Sequence, residues 1–214
     1  MSQSTVYPEP AAPEFVAPEL VGRRERKKAE TWRGLHRAAL ALCTEKGFDQ
    51  VTVEEICDRA DVSVRTFFNY FACKEDAVLG GTAGFDDVVE RLLARPVDEA
   101  PFEAFTNTYL EKTRNLGDHA ESIRMRYRLI EANEQLKARE LARVATFESV
   151  LAGAIAQRMG VDPASDPYPA LVAAVGMAVL RSSFKRWQAG DGSESLTDLV
   201  ETGFAAVLAG LPAR

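Results

Sequence analysis

The sequence has few of the residues that build metal centres and catalytic sites. Its 214 residues include three cysteines and two histidines, and the cysteines, at positions 43, 57 and 73, form no Cys-x-x-Cys motif. Structural zinc sites need several closely spaced Cys or His ligands, so we predict no metal site and no cofactor. Neither His36 nor His119 belongs to a recognisable nucleophilic or acid–base set, and we assign no catalytic residue.

Long apolar runs and secretion signals are also lacking. The longest nearly apolar stretch, residues 170–180, is well below the roughly 20 residues that a helix needs to span a bilayer. No cationic start is followed by an apolar core and a cleavage site. A small, odd number of cysteines is typical of a reducing compartment. We therefore expect a cytoplasmic protein with no membrane partner.

The acidic net charge does not exclude a nucleic-acid partner. The formal net charge is -6, but residues 21–74 hold 11 Lys and Arg against 8 Asp and Glu. Phosphate contacts require only a local cationic face, so an acidic remainder does not exclude DNA binding. With 46% hydrophobic and 27% charged residues, the composition predicts a folded globular protein.

The start of the chain predicts a tail followed by a long helix. Residues 1–20 carry four of the ten prolines, which is typical of a flexible segment. From Arg23 to Gly47 apolar residues return every three or four positions, which indicates a helix, and Gly47 supplies a C-cap.

The next segment predicts a helix-turn-helix. Thr52 caps a second helix, and Glu55, three positions later, completes a capping box. After a two-residue turn, Ser63 caps a third helix that we expect to end at about Phe71. The spacing places Phe67 and Phe71 in the core and leaves an outer face suited to the DNA major groove.

The remainder also has helical periodicity and no strand-like alternation. A fourth helix is predicted from near Lys74 to before Pro96, which gives about nine helices and an all-α fold. The further helices are predicted at about 101–116, 118–132, 134–159, 167–189 and 195–210. We divide the chain into a tail (1–20), a helix-turn-helix DNA-binding domain (21–73) and a further helical domain (74–214).

Residues 22–79 resemble the TetR family of transcriptional regulators. The resemblance rests on the Arg-rich start, the Gly47–Phe48 turn, VTVEEIC at 51–57 and above all VSVRTFFNYFACKEDAVL at 62–79. It implies a homodimer that represses transcription until a small molecule enters the C-terminal domain, so residues 74–214 are expected to form a regulatory ligand-binding and dimerisation domain. Cys73 is a departure, because many relatives have a small polar residue at that position.

The outer face of the third helix offers side chains that can read DNA bases. Arg65 can make a bidentate pair with guanine, and Asn69 can hydrogen-bond a base or the backbone. Val64 or Phe68 can contact a thymine methyl group. Phe67 and Phe71 face the core, so Phe68 and the neighbouring Tyr70 are expected to contact a partner surface.

A second set of residues is suited to phosphate. Hydroxyl groups, an ammonium group and helix N-termini all favour an anion, and this predicts contacts from Thr52, Thr66, Tyr70 and Lys74. The start of the first helix is also basic and can reach across the DNA backbone or into the minor groove through Arg23, Arg24, Arg26, Lys27 and Lys28. The alternative for these five residues is a merely solvated basic helix start.

The last two predicted helices carry the residues expected to form a dimer interface. The helix at 167–189 is apolar nearly all round with many small residues, and the helix at 195–210 has an apolar stripe, so two copies would form a four-helix bundle. The alternative is that these helices form the core of a monomer.

A small-molecule site is predicted among helices four to eight. Arg124, Arg126 and Arg128 recur at every second position, so they cannot all share one helix face. One of them can point inward to an anionic ligand, although surface exposure is the usual outcome. An ordinary core is the alternative for the apolar candidates. The candidate ligand-binding residues are Met125, Arg128, Leu129, Phe147, Met177, Phe184 and Trp187.

Two other functions stay open at this point. A regulator of the same fold could respond to oxidation of a thiol such as Cys73, which depends on its exposure and pKa. A small all-α enzyme that uses only carboxylates is the other alternative.

Overall fold

The protein is built from helices. The computed structural model describes residues 22–81, 85–114, 120–190 and 193–211, and every regular element in these ranges is helical. A short 3-10 turn, Phe48–Gln50, joins the first two helices. The all-α prediction is confirmed, with ten α-helices in the described ranges where nine were predicted: α1 Arg23–Lys46, α2 Val53–Ala60, α3 Val64–Phe68, α4 Lys74–Leu79, α5 Phe85–Ala94, α6 Pro101–Arg114, α7 Ala120–Ala132, α8 Glu134–Met159, α9 Tyr168–Ala189 and α10 Leu196–Leu208.

Contacts divide the chain into two compact units. The first unit holds the described residues up to Gly81 together with Leu129–Lys137, and the second holds the described residues of Phe85–Arg128 and those from Ala138 onward. The predicted functional division between residues 73 and 74 stays a prediction. The predicted tail, residues 1–20, lies outside the described residues.

The predicted helix caps of the first unit are confirmed. The Glu55 amide donates to Thr52 Oγ1 at 3.2 Å, and the Thr52 amide donates to Glu55 Oε2 at 2.9 Å, which completes the capping box. The Thr66 amide donates to Ser63 Oγ at 3.1 Å at the start of α3. The two helices of the motif therefore have fixed starting points.

Aromatic side chains form much of the core of the first unit. Phe67 and Phe71 are buried, as their spacing predicts, and their ring centroids lie 5.8 Å apart. Trp32 from α1 lies 6.1 Å from Phe71. Leu35 and Ile56 are also fully buried, so α1, α2 and α3 share one apolar core that fixes which face of α3 points outward.

Helix α3 is shorter than predicted. It ends at Phe68, and the next two amides, of Asn69 and Tyr70, donate to carbonyls only three residues back, at 3.1 and 2.9 Å. The chain then extends at Cys73, the residue before α4, with φ of -156°. The predicted end at Phe71 was wrong, because the chain has to leave the helix early to start α4.

The predicted single helix from Lys74 to before Pro96 is two helices. Gly80 and Gly81 both have positive φ, 84° and 55°, a region that favours glycine, and the Gly81 amide donates to Asp76 O at 2.8 Å. Helix α4 therefore ends after Leu79, and α5 begins at Phe85. The glycine pair in the sequence was the signal for this break.

The corner between α7 and α8, Leu129–Lys137, belongs to the first unit. Ile130 and Leu136 are buried there. Asn133 Oδ1 accepts from the Leu136 amide at 3.0 Å and so caps α8. The Gln135 side chain donates to Glu75 Oε1 of α4. We refer to Leu129–Lys137 as the α7–α8 corner.

The second unit packs α6 against α9 and α10. Phe105 of α6 lies edge-on to Phe204 of α10, with ring centroids 6.0 Å apart, and both are buried. Gly176 of α9 allows this packing, since a Cβ there would lie 2.3 Å from the Phe105 ring. None of the helices in the described ranges combines the length and apolar character that a membrane crossing needs.

Candidate nucleic-acid interface and effector region

Helix α3 presents an outer face with apolar and cationic groups. Val64 is 37% exposed and Phe68 is 50% exposed, whereas Phe67 between them is fully buried. Phe68 packs edge-on against Phe67, with centroids 5.3 Å apart, so its exposed ring is held in place. Arg65 is exposed on the same short helix. Val64, Arg65 and Phe68 therefore lie on the outer face of α3, as the sequence predicts.

Three further residues that the sequence predicts to contact DNA, Thr66, Asn69 and Tyr70, lie within α3 or directly after it. The Thr66 hydroxyl shares a 2.8 Å hydrogen bond with the Ser63 hydroxyl, so it is engaged in the cap. Asn69 is exposed and follows the last helical residue, and Tyr70 is half-buried. Asn69 is therefore the freest of the three to approach a base, while Thr66 can offer only part of its hydrogen-bonding capacity.

Thr52 is exposed at the start of α2, where two amides of the first turn have no partner within the helix. Its Oγ1 accepts from Glu55, which leaves its own hydroxyl proton as a donor. The Lys46 ammonium donates to Glu55 at 2.6 Å and lowers the pKa of that carboxyl. Glu55 therefore stays ionised and keeps the cap in place near neutral pH.

Lys74 is not a free surface lysine. Its Nζ donates to Phe48 O and to Val51 O, each at 2.8 Å, and lies 4.1 Å from the centroid of the Phe48 ring. The residue is half-buried at the first position of α4. The structure thus places it against the connection between α1 and α2.

The predicted basic start of α1 is only partly described. The side chains of Arg23 and Arg24 lie outside the described residues. Arg26 is exposed, and Arg33 and Arg37, seven and eleven positions later, are exposed as well, so the three share one helix face. Sequence reasoning missed Arg33 and Arg37, although the spacing from Arg26 was a signal for a cationic face on α1.

The cysteines are free thiols with raised pKa values. Burial raises the pKa of Cys43 to about 11 and that of Cys73 to about 12, and burial also raises the pKa of Cys57. Reactive redox cysteines require an accessible thiolate near neutral pH. This environment argues against the thiol-responsive alternative.

His36 has a structural environment. Its Nδ1 lies 2.7 Å from Ala77 O, and its ring stacks on Trp32 with centroids 5.3 Å apart. His119 lies outside the described residues. Among the residues that the structure describes, no group of three His, Cys, Asp or Glu side chains could hold a metal ion.

In the second unit, aromatic rings from α7 and α9 form a cluster. Tyr127 stacks on Phe184 with centroids 5.5 Å apart, and Phe184 lies edge-on to Trp187 at 6.5 Å. The Arg124 guanidinium covers the Trp187 ring at 4.4 Å. The structure therefore brings together two of the predicted effector residues, Phe184 and Trp187.

Two arginines extend this cluster toward α8 and α5. Burial and the charge of Arg143 both lower the pKa of Arg126. Arg143 makes a bidentate pair with Glu140, at 2.6 and 2.8 Å, and lies 5.3 Å from the Phe85 ring. We call the rings and guanidinium groups of Arg126, Tyr127, Arg143, Phe184 and Trp187 the basic–aromatic cluster.

The other predicted effector residues have different surroundings. Phe147 stacks on Phe85 at 3.9 Å, and Met177 Sδ accepts from the Tyr109 hydroxyl at 3.9 Å, so both belong to the core of the second unit. Arg128 is exposed and pairs with Glu121 at 2.6 Å. Of the remaining two candidate effector residues, Met125 is half-buried and Leu129 lies in the first unit.

Sequence reasoning missed Arg143 and did not select Arg126 for this half-buried cluster. One inward arginine among positions 124, 126 and 128 was foreseen, but the sequence prediction chose Arg128, which the structure places at the surface. A two-residue alternation on a helix does not identify the buried member, because neighbouring helices decide which face is covered.

Comparisons with known proteins cover most of the chain. Residues 35–79 match the family of bacterial regulatory proteins called tetR, and residues 99–212 match the MftR C-terminal domain. The transcriptional regulator TcmR of Streptomyces glaucescens is 35% identical over 174 residues, 78% of this chain and 76% of TcmR. MftR of Mycobacterium tuberculosis, named as a mycofactocin biosynthesis transcriptional regulator, is 29% identical over 87% of this chain and 93% of MftR.

A solved structure shows the same fold. FadR of Bacillus subtilis, crystallised with stearoyl-CoA, superposes with a TM-score of 0.57 at 18% identity, over 85% of this chain and all of that one. The tetR match spans the helix-turn-helix, and the MftR C-terminal match lies mostly in the second unit. The chain belongs to the TetR family of DNA-binding transcriptional regulators.

Proposed function

We propose that the protein is a repressor that binds a palindromic operator as a homodimer and leaves it when a small molecule binds the second unit. The observation that carries this proposal is the outer face of α3, where Val64, Arg65 and Phe68 are exposed beside the fully buried Phe67. Exposed aromatic and aliphatic groups beside a cation are costly on a monomer surface and useful against DNA.

Within the operator, α3 occupies the major groove. Arg65 pairs with a guanine, Asn69 reaches a base or the backbone, and Val64 and Phe68 contact thymine methyl groups. The two arginines at the start of α1, Arg23 and Arg24, with Thr52, Thr66 and Tyr70, contact phosphates and set the register. Lys74, whose donors are engaged within the first unit, is not part of this set.

Homodimerisation follows from the short reading length of one helix. A single α3 covers too few base pairs, and two copies one helical turn apart read a palindrome. Helices α9 and α10 expose Leu171 and Leu208 among small residues. Pairing of these two helices with their copies gives a four-helix bundle.

Selection of binding sites from a random pool of DNA duplexes tests operator binding. We expect an inverted repeat, and Arg65→Ala should relax the preference at one position in each half, because one bidentate contact supplies about 1–3 kcal/mol of discrimination. Arg114→Ala, which removes an exposed arginine of α6 in the second unit, is the matched control. Enrichment of no sequence, or equal effects of the two substitutions, would contradict the proposal.

The effector binds at the basic–aromatic cluster and combines an apolar body with an acidic group. Burial and Arg143 both disfavour the charged form of Arg126, so a negative charge brought close to it is stabilised. Tyr127, Phe184 and Trp187 offer ring surfaces to the apolar body. The acyl-CoA in the Bacillus subtilis FadR structure has this chemistry.

Stearoyl-CoA is the first probe, with coenzyme A as the control that lacks the acyl chain. We expect stearoyl-CoA to lower operator affinity, and Arg126→Met to abolish the response. Arg128→Met, an exposed arginine two positions away, should leave the response intact. If Arg128→Met alone abolished it, the sequence prediction would hold and the cluster would not be the site. Absence of any response to stearoyl-CoA would exclude long-chain acyl-CoA as the effector.

A further inference from the structure

Lys74 is a half-buried lysine of the first unit. It stands at the first turn of α4, yet its side chain turns back to the segment between α1 and α2. This segment consists of the 3-10 turn Phe48–Gln50 and the extended Val51, and both Phe48 and Val51 are buried. The ammonium therefore lies against a connection that leads directly into α2.

The hydrogen-bonding capacity of the Lys74 ammonium is used within the first unit. An ammonium group has three N–H donors. Two carbonyls, Phe48 O and Val51 O, accept at 2.8 Å each, and the remaining side of Nζ faces the Phe48 ring at 4.1 Å from its centroid. Such a cation–π contact stabilises the third side electrostatically. A phosphate would have to displace one of these contacts.

The two carbonyls precede the first turn of α2. Val51 O belongs to the peptide whose amide is that of Thr52, the cap residue of α2. Through this carbonyl, Lys74 ties the first residue of α4 to the segment that leads into α2. Since α2 and α3 pack together in one core, the orientation of the outer face of α3 depends on this contact.

We propose that Lys74 is a positioning residue for operator binding, which fixes the α1–α2 connection and touches no phosphate. This inference rests on the proposed operator binding. It gives the lysine a role opposite to the phosphate contact that the sequence predicted. The physical difference between the two roles is measurable, because a phosphate contact releases counterions and an internal contact does not.

The experiment measures operator affinity of the full-length protein as a function of salt concentration. Lys74→Met keeps the apolar stem and removes the donors. We expect operator affinity to fall by about tenfold or more at every salt concentration, since hydrogen bonds from a charged group are among the stronger ones. The slope of log affinity against log salt should stay at the value of the unsubstituted protein. Lys74→Arg, which retains donors and ring stacking, should recover much of the affinity.

Two lysines provide matched controls. Lys27→Met, at an exposed position of α1, should lower the salt slope if that side chain contacts phosphate. Lys112→Met makes the same change in the second unit, where Lys112 pairs with Asp87, and should leave affinity and slope unchanged. Stoichiometric titration gives the fraction of active protein, so that loss of folded protein is not mistaken for loss of affinity. Where Lys74→Met lowers that fraction, Lys74→Gln is measured in the same way.

Amide hydrogen exchange supplies a readout that does not depend on DNA. Lys74→Met should accelerate exchange in a peptide covering residues 47–56 and leave peptides from α9 unchanged. A decrease in salt slope of about 0.9 for each phosphate contact, hence about 1.8 for a dimer, would overturn the proposal in favour of direct contact. Unchanged affinity or unchanged exchange would overturn it as well. Failure of the proposed operator binding gives a different result, because the unsubstituted protein would then enrich no duplex from the random pool.

Discussion

Replacement of Leu136 by alanine tests whether the α7–α8 corner is part of the first unit. Leu136 is 0% exposed, and it lies in the first turn of α8, which otherwise continues into the second unit. Alanine removes most of a fully buried side chain and leaves a cavity. Substitutions of this kind cost about 2–5 kcal/mol of unfolding free energy.

Leu141→Ala, on the same helix, is the matched control. Leu141 is 68% exposed, so the same change there should alter stability by less than about 0.5 kcal/mol. Both substitutions replace leucine by alanine within α8, so any gain in helix propensity is similar. The difference between them isolates the contribution of burial.

Amide hydrogen exchange is the suitable assay, because a protein with two units need not unfold in one transition. Leu136→Ala should reduce protection in peptides from α1 and α4 of the first unit, while peptides from α9 and α10 stay close to the unsubstituted protein. Equal effects of the two substitutions, or a loss confined to α9 and α10, would refute the assignment of the corner to the first unit.

Three other substitutions test the packing, capping and charge described above. Gly176→Ala should destabilise the second unit by about 1–3 kcal/mol in urea unfolding, because its Cβ would collide with the Phe105 ring, whereas Gly153→Ala, in open space on α8, should be neutral or stabilising. Thr52→Ala should cost about 1 kcal/mol in the same measurement, through loss of the cap of α2. A hydrogen bond from Arg95 lowers the pKa of Glu99. The contribution of Glu99 to the free energy of unfolding is therefore present above about pH 4.3 and is lost as the pH falls through the lowered pKa. Glu99→Gln should accordingly reduce the loss of unfolding free energy at acidic pH, measured by urea unfolding at several pH values.

Much of the first unit follows from local sequence signals. The capping box at Thr52 and the cap at Ser63 are residue patterns with a direct backbone consequence, and both are present. The burial of Phe67 and Phe71 follows from their four-residue spacing. The match of residues 35–79 to a known family confirms the resemblance that these patterns carry.

Features that depend on contacts between distant segments were not predictable in the same way. The engagement of Lys74 with Phe48 O and Val51 O joins residues more than 20 positions apart, and no local pattern encodes it. The inward position of Arg126 rather than Arg128 depends on how α8 and α9 cover α7. The break between α4 and α5 is different, because the Gly80–Gly81 pair was a visible signal whose positive φ values ended the helix.

The path of the backbone between the units restricts how hybrid regulators can be made from this chain. The chain passes from one unit to the other between residues 81 and 85, after residue 128 and again after residue 137. A chimaera that keeps residues up to 84 and takes everything else from another regulator would therefore receive a foreign α7–α8 corner in its first unit, where Gln135 bonds to Glu75 of α4. Hybrids should fold best when residues 129–137 come from the same parent as the N-terminal helices. Such a hybrid needs three junctions in the gene, one before α5 and one on each side of residues 129–137.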